Sequence, residues 1–177
     1  MSLGFKRTRG MHQRAYYTTF TNYLFRAEGP LSQLFKETTM AEEIRRVDYY
    51  YATVPDKAGE AAHTLSALHR GGVNLLAFSG FPAGARKGQL DFIAEDSAAL
   101  TNAARSARIK LSRKRSGFLI QGEDRPGAVA DILGKLAEAG INVTAALAVC
   151  AGMGRYGGLI WVKPTDLRKA AKALGVG

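Results

Sequence analysis

The chain repeats itself at an offset of 68 residues. Asp56-Lys57-Ala58-Gly59 overlies Asp124-Arg125-Pro126-Gly127, and Ala62, Leu65, Leu68, Gly72, Asn74 and Ala77 recur as Ala130, Leu133, Leu136, Gly140, Asn142 and Ala145. A repeat of this size constrains the fold more than composition can, because one supersecondary unit must serve twice. Leu65, Leu68 and Leu133, Leu136 keep the i, i+3 spacing of an apolar helix face. The glycine after each pair stands where a helix ends in a left-handed cap.

Each unit reads as strand, helix, strand, strand, helix. Asp48 to Val54 and Phe118 to Gln121 are first strands, rich in aromatic and β-branched residues. A turn then leads into helices over Gly59 to Arg70 and Gly127 to Ala139. Val73 to Phe78 with Leu90 to Ala94, and Ile141 to Val149 with Leu159 to Val162, form a hairpin in each copy. Alanine-rich Ser97 to Ala107 and Asp166 to Leu174 favour helix. In the first copy Ile109 and Leu111 begin a closing strand. The order βαββαβ places the chain in the α+β class, as two tandem ferredoxin-like modules with antiparallel sheets and helices on one face. The expected divisions are a basic leader over 1–45, a first module over 46–114 and a second over 115–177. The second module lacks its last strand, so another segment is needed on that open edge unless the fold is cut short there.

The formal charge of +10 is unevenly spread. Residues 1–39 carry six Lys/Arg and two acids, residues 40–112 nine and eight, and residues 113–177 ten and five. Arg113-Lys114-Arg115 is the densest basic run, and it reads as a solvated strand end or connector. No apolar run reaches the length of a membrane span and the first residues lack a secretory pattern, so a cytoplasmic location is expected. Cys150 is the only cysteine. It excludes an internal disulfide and reads as a small buried hydrophobe. Neither a metal site nor a cofactor is expected, since His12, His63 and His69 lack ligand spacing. His63 and His69 stand six apart on one helix and so on different faces. The carboxylate pairs Glu42-Glu43, Glu95-Asp96 and Glu123-Asp124 are adjacent residues at element ends, which suits caps better than acid/base catalysis. Gly152, Gly154 and Gly157 spell G-x-G-x-x-G, but a strand follows them where a dinucleotide site needs a helix. No catalytic residues are assigned, and the chain is not expected to be an enzyme.

The stretch GEDRPGAVADILGKLAEAGINV, residues 122–143, closely resembles the ACT domain, and VPDKAGEAAHTLSALHRGGVNL, residues 54–75, resembles it more loosely. Ala58 and Val73 replace the proline and isoleucine of that signature. The resemblance implies a regulatory module that pairs through strands and helices and binds a small amino acid in the seam. It further implies a free-standing sensor or a partner of a separate metabolic enzyme or regulator, with a homodimer as the expected state. The ligand-binding residues it points to are Asp124, Arg125, Pro126, Gly127, Ala128, Asn142 and Val143, with Asp56, Ala58, Gly59, Asn74 and Leu75 as the first-copy equivalents.

The chemistry of these positions agrees. A turn opening a helix presents free N–H groups that favour a carboxylate, and glycine there permits close approach. It is equally explained by turn geometry. Asn142 and Asn74 are expected either to orient the ligand or to tie down their own loops. Pro126 pre-sets its turn, which ranks the second-copy loop above the first.

The runner-up reading is a nucleic-acid-binding module of the same fold, using the basic excess. Leu159 and Trp161 share one strand face, with one aromatic where stacking on RNA wants alternating ones. The leader reads as a flexible basic arm, a targeting segment or sequence upstream of a start at Met40. Its strand-like Ala15 to Phe25 is a further candidate for covering the open edge.

Overall fold

In the computed structural model, which describes residues 42–84 and 86–177, the chain builds each copy in the expected order. The first contains β1 (Glu43–Pro55), α1 (Glu60–Arg70), β2 (Leu75–Pro82), β3 (Lys87–Ala94) and α2 (Ser97–Ser106). The second contains β4 (Arg115–Glu123), α3 (Ala128–Glu138), β5 (Val143–Gly152), β6 (Arg155–Val162) and, after a 3-10 turn at Pro164–Asp166, α4 (Leu167–Ala173). Gly72 and Gly140 follow α1 and α3 with φ of 76° and 64°, the left-handed stop that the repeat implies. Residues 1–41 lie outside the described residues, and with them the proposed role of Ala15 to Phe25.

The strands form one six-stranded antiparallel sheet in the order β2-β3-β1-β4-β6-β5. β1 joins its halves. Tyr50 to Pro55 pair with β3, whereas Glu43 to Tyr49 pair with residues 121 to 115 of β4. In that ladder Asp48 stands opposite Ser116, its own counterpart at the offset of 68 residues. The two copies are therefore related by a local twofold through this pair, where Ser116 Oγ donates to Asp48 Oδ1 at 3.2 Å.

This pairing corrects the expected closing strand. Residues 109–111 make only a single bridge, Leu111 to Ala52, reinforced by the Ser112 N–H donating to the Tyr51 carbonyl at 2.7 Å. A full strand cannot form there because β4 already holds the same edge of β1 below Tyr50. The open edge of the second copy is covered in the same way, by β1 itself.

Helices α1 to α4 lie on one face of the sheet. Ile44 packs with the α3 and α4 core around Phe118, Ile132, Leu136 and Ile160, and Ala52, of the same strand parity, packs with the α1 and α2 core around Leu68, Phe92 and Leu100. The opposite face is also apolar at its centre, where Val47, Ile93, Leu119, Leu159 and Trp161 are buried together. That is why β4 and β6 read as continuous apolar runs rather than alternating ones.

β5 is an edge strand whose residues after Val143 are all exposed. Cys150 is therefore exposed rather than buried, and its thiol donates to Asp124 Oδ2 at 3.0 Å.

Helix packing in the first copy depends on Gly71. A Cβ there would lie 2.4 Å from Ala103 Cβ of α2. Gly71→Val should lower the unfolding free energy by about 1–3 kcal/mol. Urea titration followed by circular dichroism and by Trp161 fluorescence should still give coincident single transitions, because β1 contributes to both cores.

Candidate functional site

The two signature turns fold alike. Gly59 and Gly127 are the N-caps of α1 and α3 with φ of 91° and 84°. No side chain caps either helix. In the second turn the Asp124 N–H donates to the Gly154 carbonyl and the Ala128 N–H to the Arg125 carbonyl. Pro126 has no N–H, so Arg125 and Gly127 keep the donors without a partner among the described residues. In the first turn Asp56 and Lys57 donate to Arg86 and Pro55, which leaves Ala58 and Gly59. A Cβ on Gly127 meets nothing within 4 Å. Its positive φ would still strain any replacement, so a bulky substitution there disturbs the backbone before it touches a ligand.

Charge separates the turns. Arg125 is engaged by Asp131 at 2.6 Å, which raises its pKa. Beside it Tyr156 Oη donates to Glu42 Oε1 at 2.7 Å, and burial together with that carboxylate pushes the phenol pKa upward. Lys57 in the first turn has no ion-pair partner among the described residues. Asp56, Lys57 and Glu60 border a cavity of about 330 Å³ that reaches Phe78 and Phe81 of β2.

The asparagines do not meet their own turns. α1 and α3 each have 11 residues, so about 16 Å of helix separates each turn from the asparagine that follows. The strand directions put Asn142 at the sheet end of the Asp56 turn and Asn74 at that of the Asp124 turn. Asn74 Nδ2 donates to Glu95 Oε2 at 2.9 Å, tying down its own loop. Asn142 is exposed and its side chain has no partner among the described residues. Leu75 and Val143, the next residues, open β2 and β5, which are the two edges of the sheet.

A second cavity, of about 350 Å³, opens on the face without helices. Tyr49, Ser79, Gln89 and Asp91 contribute to it from β1, β2 and β3, and Leu147 and Trp161 from β5 and β6. Opposite edges of the sheet thus line one hollow, so the sheet curves around it. Asp91 is 4% exposed and accepts from Gln89 Nε2 at 2.8 Å. Burial raises its pKa, opposed by that hydrogen bond and by the charge of Arg115. Ser79 stands directly across from Asp91, and its Oγ is buried without a partner among the described residues. The sequence signal for these residues is a single aspartate inside the apolar run Leu90 to Ala94.

The nucleic-acid reading gains nothing from this sheet. Phe118 is wholly buried on the helix face of β4. Among the described residues, no helix is long and apolar enough to cross a membrane, and no three His, Cys, Asp or Glu side chains gather as metal ligands.

Residues 118–174 match the family model of the ACT domain. No curated protein matches the sequence. Among solved structures, a protein from Bacteroides thetaiotaomicron superposes with a TM-score of 0.64 at 20% identity, over 73% of this chain and 87% of its own. The ligand-free regulatory subunit of aspartate kinase from Thermus thermophilus superposes with a TM-score of 0.53 at 18% identity, over 76% and 93%. At these identities the likeness establishes a common fold.

Because burial raises the Asp91 pKa, ionising it in the folded protein costs stability. The cost is absent below the pKa of the unfolded carboxyl and is fully present above that of the folded one. Replacing Ser79 and Asp91 together by leucine should therefore raise the melting temperature at pH 7 by about 2–6 °C. The gain should shrink at pH 3, which paired thermal melts would show.

Proposed function

We propose that this chain, which carries an ACT domain over residues 118–174, is a non-catalytic regulatory protein whose signature turns bind a small amino acid. The observation that carries this reading is the repetition of one turn in both copies. In each, a left-handed glycine caps a helix and leaves two N–H groups free for a carboxylate.

The ligand's amino end needs a second strand facing the turn. Within the chain the second strands of both copies are the sheet edges, so the seam forms between chains, along β2 and β5. The exposure of β5 supports this, with Leu147 at 45% and Val149 at 62%, since an apolar edge without charge invites pairing. A homodimer results, in which Asn142 of one chain reaches a turn of the other. The Asp56 turn contributes its cavity and Lys57, which has no ion-pair partner among the described residues, whereas the Asp124 turn contributes the rigidity of Pro126. Regulation of a separate metabolic enzyme is the role this fits, and a cytoplasmic location follows from it.

A thermal-shift screen against the twenty amino acids tests the function, because a ligand selective for the folded state raises its stability. At least one amino acid should raise the melting temperature. Asn142→Ala should then weaken it by about 1–3 kcal/mol with little change in the apoprotein. Absence of any shift would remove the sensing role. For the seam, light scattering should give a dimer that Val149→Lys converts to monomer; a wild-type monomer that still binds the amino acid would show that the site needs no partner.

A further inference from the structure

The cavity on the helix-free face holds polar groups that the fold does not require. The repeat shows this directly, because Ser79 and Asp91 correspond at the 68-residue offset to Leu147 and Leu159. Both are direct cross-strand pairs, at the same register of the hairpins β2-β3 and β5-β6. Gln89 likewise corresponds to Gly157. One copy builds this position from two leucines, and the other buries a carboxylate and a hydroxyl there. Burying them costs stability that the leucine pair does not.

We propose that this cavity binds a small protonated amine. Asp91 and Ser79 take the ammonium group, and Trp161, Tyr49 and Leu147 receive its apolar body.

The groups present select that chemistry. Among the described residues the Asp91 carboxylate receives one hydrogen bond, from Gln89, and has no ion-pair partner. Ser79 Oγ beside it is unsatisfied. An ammonium has three donors and no acceptor, which suits a carboxylate and a hydroxyl oxygen lying together. An anion would meet the carboxylate and be repelled. Tyr49 and Trp161 stand edge to face at 6.2 Å, and aromatic walls favour a cation. Arg115, whose charge reaches Asp91, lies over the Tyr51 ring at 5.3 Å from its centroid and forms no ion pair with that carboxylate. The cavity opens on the sheet face opposite α1 to α4 and touches the one beside the Asp56 turn only at Gly80 and Phe81 of β2, and neither Asn142 nor the signature turns line it.

Trp161 is the only tryptophan in the chain and lines this cavity, so its emission in the folded protein reports binding there. The full chain is titrated with 3-methylbutylamine at pH 7, and in parallel with 3-methylbutanol, its neutral counterpart. The amine should give a saturable change in emission, and the alcohol should bind about tenfold or more weakly. The Ser79→Leu, Asp91→Leu double variant, which installs the second copy's own pair, should fold and lose the response. Asp91→Asn keeps the shape without the charge and should also weaken the amine about tenfold, so the outcome does not depend on one variant folding. Asn142→Ala should leave the response intact, which separates failure of this site from failure of the amino-acid site. Equal binding of amine and alcohol, undiminished binding by Asp91→Asn, or no saturable response below about 20 mM would overturn the proposal.

Discussion

Backbone pairing between β1 and β4 is the interaction on which the rest of the structure depends. Each of these strands must offer one edge to its own hairpin and the other to the opposite copy. A ferredoxin-like unit needs a fourth strand beside its first, and here the two units supply one another. The exchange is possible because β1, with 13 residues, is long enough to pair with β4 below Tyr50 and with β3 above it. Two incomplete sheets become one continuous sheet, and among the described residues β2 and β5 are its edges.

That arrangement decides where ligands can meet the protein. With the first strands joined at the centre, the second strands face outward and the signature turns lie at opposite ends of the sheet. On the function proposed above, the seam forms between two chains. Curvature of the same sheet creates a different hollow within one chain, between the Ser79 and Asp91 pair on one wall and Leu147 and Trp161 on the other. The two copies share a backbone design but not a surface. The signature turns repeat closely, while the helix-free face is polar in one half and apolar in the other.

The helices and their stops were legible because their causes are local. Leucine spacing along α1 and α3, Gly72 and Gly140 behind them and Asp96 capping α2 all act within a few residues. The hairpins were legible for the same reason, and pattern alone placed Leu159 and Trp161 on one face. The closing strand at Ile109 and Leu111 was misread because its propensity is real but its place is taken. Whether a segment pairs depends on which edge is free, and no window of sequence contains that information. Cys150 was misread likewise, since its apolar neighbours suggest burial whereas its strand lies at the edge.

The sequence by itself therefore determined the module, its duplication and the turns that open its first helices, because those follow from local backbone preferences and a visible repeat. Only the tertiary structure decided that β1 would join the copies, that Asn142 would stand at the sheet end of the Asp56 turn, and that Asp91 would face a cavity. These depend on strand order, direction and curvature, which arise from contacts between residues far apart in the chain.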